Sequence, residues 1–65
     1  MNLKIRTEEM EGEMFTSVIG RYGNKVVAYN SGNSTRVPKY IKLLMVANEQ
    51  LYRENGREIE TTIFD

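Results

Sequence analysis

The 65-residue chain has no cysteine and no histidine. The first absence removes any disulfide framework and any thiolate zinc site. The second removes the commonest general base and metal ligand. Proline occurs once and glycine five times, and no linker, repeat or low-complexity tract is present. Neither sign of charge is in excess, with nine Lys and Arg against nine Asp and Glu. No run of 18 apolar residues exists, so no segment reads as a membrane span. The opening MNLKIRTEEM lacks the apolar stretch and small-residue cleavage site of a secretory signal, and a cytoplasmic location is expected. What is present is globular in character: 40% hydrophobic and 28% charged residues, too apolar for a disordered tail. A single domain spanning 1–65 is expected, marginal in stability for its size unless its core is efficient or another chain associates with it.

The local patterns predict the order β-β-β-α-β. Residues 2–6 alternate, with Leu3 and Ile5 on one side, as a short strand does. The acidic TEEMEGE at 7–13 reads as a turn or loop, with a single helical turn as the alternative. Residues 14–22 are rich in β-branched and aromatic types and suit a strand. Gly23-Asn24 separates them from KVVAYN at 25–30 and predicts a two-residue type II′ hairpin. That turn pairs Tyr22 with Lys25, Ile19 with Ala28, and Val18 with Tyr29. A loop, SGNST, follows at 31–35, in which Ser34 or Thr35 suits an N-cap and Pro38 suits the first helical turn. Apolar residues then recur at helical spacing over 36–54: Val37, Tyr40, Ile41, Leu44, Ala47 and Leu51. Asn55-Gly56 ends that helix. A last strand over 57–64 sets Ile59, Thr61 and Ile63 on one face. The fold class is therefore α+β: a small two-layer domain in which one helix from the C-terminal half packs on one face of a mostly antiparallel, hairpin-containing sheet. Val37, Ile41, Leu44, Ala47 and Leu51 are expected to meet the sheet, joined by Ile59 and Ile63.

Both faces of the predicted hairpin are apolar. One carries Phe15, Ser17, Ile19, Val26 and Ala28, and the other Met14, Thr16, Val18, Tyr22, Val27 and Tyr29. A single helix covers only one of them. The other is either roofed by Leu3, Ile5 and Met10 of the N-terminal segment or covered by another molecule. Charge placement is also uneven. Residues 21–42 carry Arg21, Lys25, Arg36, Lys39 and Lys42 with no acid, and Tyr22, Tyr29 and Tyr40 lie among them. Cations interleaved with aromatics suit single-stranded nucleic acid, whose phosphates take the charge and whose bases stack on the rings. A domain dedicated to that task is usually basic overall, and this one is neutral. Lesser features are a mixed patch of Lys39, Lys42, Leu43 and Val46 on the outer helix face, SGNSTR as a capped helix entry, and Glu8, Glu9, Glu11 and Glu13 as a solvated acidic run.

No enzyme is expected. Sixty-five residues with one helix rarely enclose a pocket, and no spacing suggests an activated nucleophile. No cofactor and no metal site is expected. The leading reading is a protein-binding module (inhibitor, adaptor or regulatory subunit) of the size found among phage or mobile-element proteins. Its expected contact residues are Val18, Tyr22, Val27 and Tyr29, with Arg21, Lys25 and Lys39 on the rim. Two copies pairing that face about a two-fold axis would form a homodimer. The alternative is nucleic-acid binding through Tyr22 and Tyr29 with Arg21, Lys25, Arg36, Lys39 and Lys42, and no role at a membrane.

Overall fold

The computed structural model describes residues 1–32 and 36–64. Four strands and one helix follow in the expected order: β1 (Asn2–Met10), β2 (Glu13–Tyr22), β3 (Lys25–Asn30), α1 (Lys39–Asn55) and β4 (Ile59–Phe64). The strands form one sheet in the order β3-β2-β1-β4, antiparallel throughout. Among the described residues, no helix is long and apolar enough to cross a membrane.

The β2–β3 hairpin has the expected register, with Tyr22 opposite Lys25, Ile19 opposite Ala28 and Val18 opposite Tyr29. Gly23 sits at φ 66 while Asn24 does not enter the left-handed region, as a type II′ turn requires. β1 departs from expectation. It runs to Met10 and turns at Glu11-Gly12, both with positive φ, so the acidic segment is strand and tight turn rather than loop. Its charges do not prevent this. Thr7 is buried against β2, while Glu9 pairs with Met14 and Glu8 with Phe15, on alternating faces of the sheet. The acidic run therefore diverges instead of gathering at one point.

Nor does the N-terminal segment roof the sheet. It is inserted between β2 and β4, and Leu3 and Ile5 join Val18 beneath the helix. Ile41 and Met45 meet them from α1, with Met1, Val27, Tyr29, Val37, Leu44 and Ile63 around the border.

The helix starts later and faces differently than its apolar spacing predicts. Pro38, at φ −56 and ψ 145, precedes the first helical residue, and among the described residues no side chain caps that end. Ser34 and Thr35, the expected caps, lie outside the described residues. At the other end Gly56 is left-handed and donates its N–H to Tyr52 O at 2.7 Å, as expected. The face toward the sheet is Ile41, Met45 and Asn48, not Ala47 and Leu51. Leu44 is half-buried, and Leu51 remains 40% exposed.

Asn48 explains the rotation. Its Nδ2 donates to Thr7 Oγ1 at 2.8 Å and to Ile59 O at 3.4 Å, and its Oδ1 accepts from Thr61 Oγ1 at 2.6 Å. Thr7 and Thr16 share a further hydrogen bond of 2.8 Å between their hydroxyls. A buried carboxamide is costly without partners and stable with them, so the helix takes the rotation that brings Asn48 to these threonines. Farther along, Tyr52 OH donates to Glu9 Oε2 at 3.1 Å. Partial desolvation, and secondarily that carboxylate, push the phenol's pKa above its ordinary value. Arg6 ties the segment before β4 to β1, its Nε 2.6 Å from Glu58 Oε1, an exposed pair of small energetic weight. The rotation has a measurable consequence. Ile41→Ala should cost about 2–5 kcal/mol in urea unfolding, whereas Leu51→Ala should cost about 0.5 kcal/mol or less. Equal losses at the two positions would contradict this helix orientation.

Candidate functional site

The end of the sheet nearest the β2–β3 turn meets the start of α1. Strand alternation puts Tyr22, Lys25, Val27 and Tyr29 on the helix side of the sheet there. Pro38 fixes an extended entry into the helix, which brings Tyr40 and Ile41 opposite them. These seven side chains line a notch of about 240 Å³. The rings of Tyr22 and Tyr40 are 6.0 Å apart between centroids and inclined at 44°. Both tyrosines are close to half-exposed, so the pair is open to solvent rather than part of the core. The walls are apolar and aromatic, the phenolic hydroxyls provide hydrogen-bonding groups, and Lys25 supplies the one charged group in the lining. The first helical turn has no acidic residue, and Lys39 stands there exposed.

The structure gathers some of the expected contact residues and separates others. Tyr22, Lys25, Val27 and Tyr29 come together, with Lys39 nearby on the helix. Val18 is excluded: at 1% exposure it is a core residue beneath α1, because the Val18 face is the one the helix covers. In the expected face-to-face pairing of two copies, Val18 therefore has no part, and only Tyr22, Val27 and Tyr29 of that set keep exposed surface. Arg21 is not on the notch rim. It is one residue from Tyr22 in an extended strand, and the alternation turns it to the opposite face, where it pairs with Asn2 and Val26.

The basic segment is likewise divided. Arg36 and Lys42 line a different groove, of about 550 Å³, together with Asn30, Ser31, Val37, Met45, Val46 and the acidic Glu49. The five cations expected to follow a nucleic-acid strand thus do not share one surface: Arg21 is on the far face of the sheet, Lys25 in the notch, and Arg36 and Lys42 in the groove, with Lys39 exposed on the helix three residues before Lys42. Ser31, in the loop considered as a helix entry, has a structural task, since its Oγ accepts from Thr16 N at 2.9 Å. On the outer helix face, Lys39, Lys42, Leu43 and Val46 are all exposed.

Sequence reasoning missed Pro38, Tyr40 and Ile41 as parts of the notch. Tyr40 and Ile41 have the same helical spacing as core residues, and only the placement of the helix start opposite β3, after the extended Pro38, shows that they also form a wall.

Among the described residues, the face of the sheet away from α1 is uncovered around Ile19, Val26 and Ala28, while Phe15 on the same face is half-buried beside Gly32. Ile19, Val26 and Phe64 are 58%, 74% and 75% exposed, and Ala28 is exposed beside them. This is the Phe15, Ser17, Ile19, Val26 and Ala28 side of the hairpin. No family model, no curated protein and no solved structure matches the chain.

Proposed function

We propose that the protein is a non-enzymatic protein-binding module, acting as an inhibitor, adaptor or regulatory subunit, that docks by admitting an apolar side chain of its partner into the tyrosine notch. The observation that supports this reading is the half-exposed Tyr22–Tyr40 pair, which with Tyr29 walls an apolar recess. Tyrosine supplies a large contact area on only two side-chain torsions, so little freedom is lost when a partner presses on it. Aromatic side chains in a recess are the usual centre of a protein interface. Lys25 and Lys39 beside the notch, within a segment that carries no acid, favour an acidic rim on the partner.

The alternative, a nucleobase stacking in the same notch, draws on the same tyrosines and Lys25. The separation of Arg21, Arg36 and Lys42 from the notch leaves it with few phosphate contacts.

The test uses wild-type protein and the Tyr22→Ala/Tyr40→Ala double variant as baits in lysate, each with and without nuclease. The expected result is a protein that the wild type retains regardless of nuclease and that the folded variant binds about tenfold or more weakly. Retention of the same species by the variant, or of a nuclease-sensitive nucleic acid whose binding falls steeply with salt, would overturn the proposal.

A further inference from the structure

β3 is an edge strand, and its sequence does little to protect it. Lys25–Asn30 is KVVAYN, with no proline and a single charge at the first position. Its pairing with β2 is one-to-one over its whole length, so no bulge twists the edge away. In a two-residue hairpin the residues flanking the turn form a hydrogen-bonded pair, and such pairs then alternate with non-hydrogen-bonded ones. Tyr22↔Lys25, Gly20↔Val27 and Val18↔Tyr29 are thus the bonded pairs. Val26 and Ala28 turn their N–H and C=O groups away from β2, toward the open edge. The body of α1 lies over β1, β2 and β4, and its entry at Pro38, Tyr40 and Ile41 meets β3 only through the side chains of the notch, on one face of the sheet. Among the described residues these main-chain groups have no partner, and open groups along a nearly uncharged strand are a template for another strand.

We infer that the occupant of this edge is a second copy of the chain, paired antiparallel through β3 about a two-fold axis at Val27, so that two four-stranded sheets become one. This register follows from the alternation. Val26 of one copy faces Ala28 of the other in a bonded pair, and the two Val27 residues face each other between those pairs. It is also self-complementary in chemistry. Val26, Ala28 and the neighbouring Ile19 of both copies merge into one apolar strip on the face away from the helices. On the helix side Lys25 lies opposite Tyr29 of the second copy, a cation beside an aromatic ring. The two Lys25 side chains are about 14 Å apart along the strands at the usual rise per residue, farther than the Debye length of about 8 Å at physiological salt. A core of five buried apolar side chains is small, and the added pairing gives the domain further support. The site is extended as well, since each notch gains Tyr29 of the second copy along its Lys25 side.

Sedimentation equilibrium across micromolar concentrations tests the inference. Wild-type protein should approach twice the mass of the chain. Ala28→Pro removes only an N–H that points to the open edge, a position where proline is tolerated in edge strands. That variant should be a folded monomer, with far-UV circular dichroism like the wild type. Val26→Lys provides a second reading at an exposed position, adding a cation from each copy to the seam, and should raise the dimer dissociation constant about tenfold or more. A wild-type protein that is monomeric throughout would overturn the inference. So would a folded Ala28→Pro or Val26→Lys variant that dimerises as the wild type does. Tyr22 and Tyr40 lie off β3, so their double alanine variant should remain dimeric. A loss of partner capture in that variant speaks for the notch alone, and a monomeric Ala28→Pro that still captures the partner speaks for the edge alone.

Discussion

Gly20→Ala is expected to cost about 3–5 kcal/mol and to leave the chain largely unfolded at room temperature. Two effects add. Gly20 lies at φ 148, a conformation that residues with a side chain rarely adopt. A Cβ there would also overlap the Asn2 carbonyl oxygen, backbone of the neighbouring strand, which has no rotamer to yield. Relief requires β1 to move off β2, and β1 is the centre of the sheet, paired on both sides. A domain of this length has a total stability of about 3–10 kcal/mol, so the loss is comparable to the whole. Gly23→Ala is the control. Its φ of 66 is also unfavourable for alanine, yet the added Cβ meets nothing within 4 Å. It should cost about 1–2 kcal/mol and leave a cooperative thermal transition. A Gly20→Ala protein that melts within a few degrees of wild type would show that β1 and β2 are not this close.

The second large effect is expected at Asn48. Asn48→Leu takes away the acceptor of Thr61 Oγ1 and a donor to both Thr7 Oγ1 and Ile59 O. Thr7 keeps Thr16, so the loss falls mainly on the hydroxyl and carbonyl of β4. Leaving such groups without partners should cost about 2–4 kcal/mol, measured by urea unfolding. Replacing the network as a whole, with Thr7→Val, Thr16→Val and Thr61→Val added to Asn48→Leu, should return most of that loss, because the hydroxyls go with the amide and only the Ile59 carbonyl then lacks its side-chain donor. Asn48→Leu alone matching wild-type stability would mean that these hydrogen bonds do not position the helix.

The element order and the β2–β3 register were legible because their causes are local. Gly23-Asn24 specifies a turn, and a two-residue turn dictates every pair behind it, from Tyr22↔Lys25 to Ser17↔Asn30. The orientation of the helix was not legible, because Asn48 reads as an outward polar residue until Thr7, Thr16 and Thr61, from three strands, are brought together. The extent of β1 was hidden by its glutamates, which a strand tolerates when alternation sends them to solvent or to a partner such as Tyr52. Val18 was misplaced for a related reason. Both sides of the hairpin are apolar, and which of them the helix covers depends on where β1 and β4 join the sheet. That is a question of topology, on which the composition of β2 and β3 is silent. The notch was half legible: its tyrosines and Lys25 stand out in the sequence, but their grouping depends on where the extended entry at Pro38 sets the start of α1.

The placement of β1 between its nearest and its farthest strand also determines when the chain can commit to its fold. β1, β2 and β3 are joined by two-residue turns and can zip together locally, hairpins of this kind closing within about 1–10 μs. β4 must instead return across the whole helix to reach β1, where Ile59 pairs with Thr7 and Ile63 with Leu3. Until it does, Asn48 lacks two of its three partners, Ile59 and Thr61, and the helix has no fixed seat. Closing that long loop is the entropically expensive event, and it is compensated only when strand and helix settle together. The meander is therefore expected to form early, and the return of β4 to set the folding rate, so that Ile63→Val should slow folding more than Val26→Ala does in stopped-flow refolding.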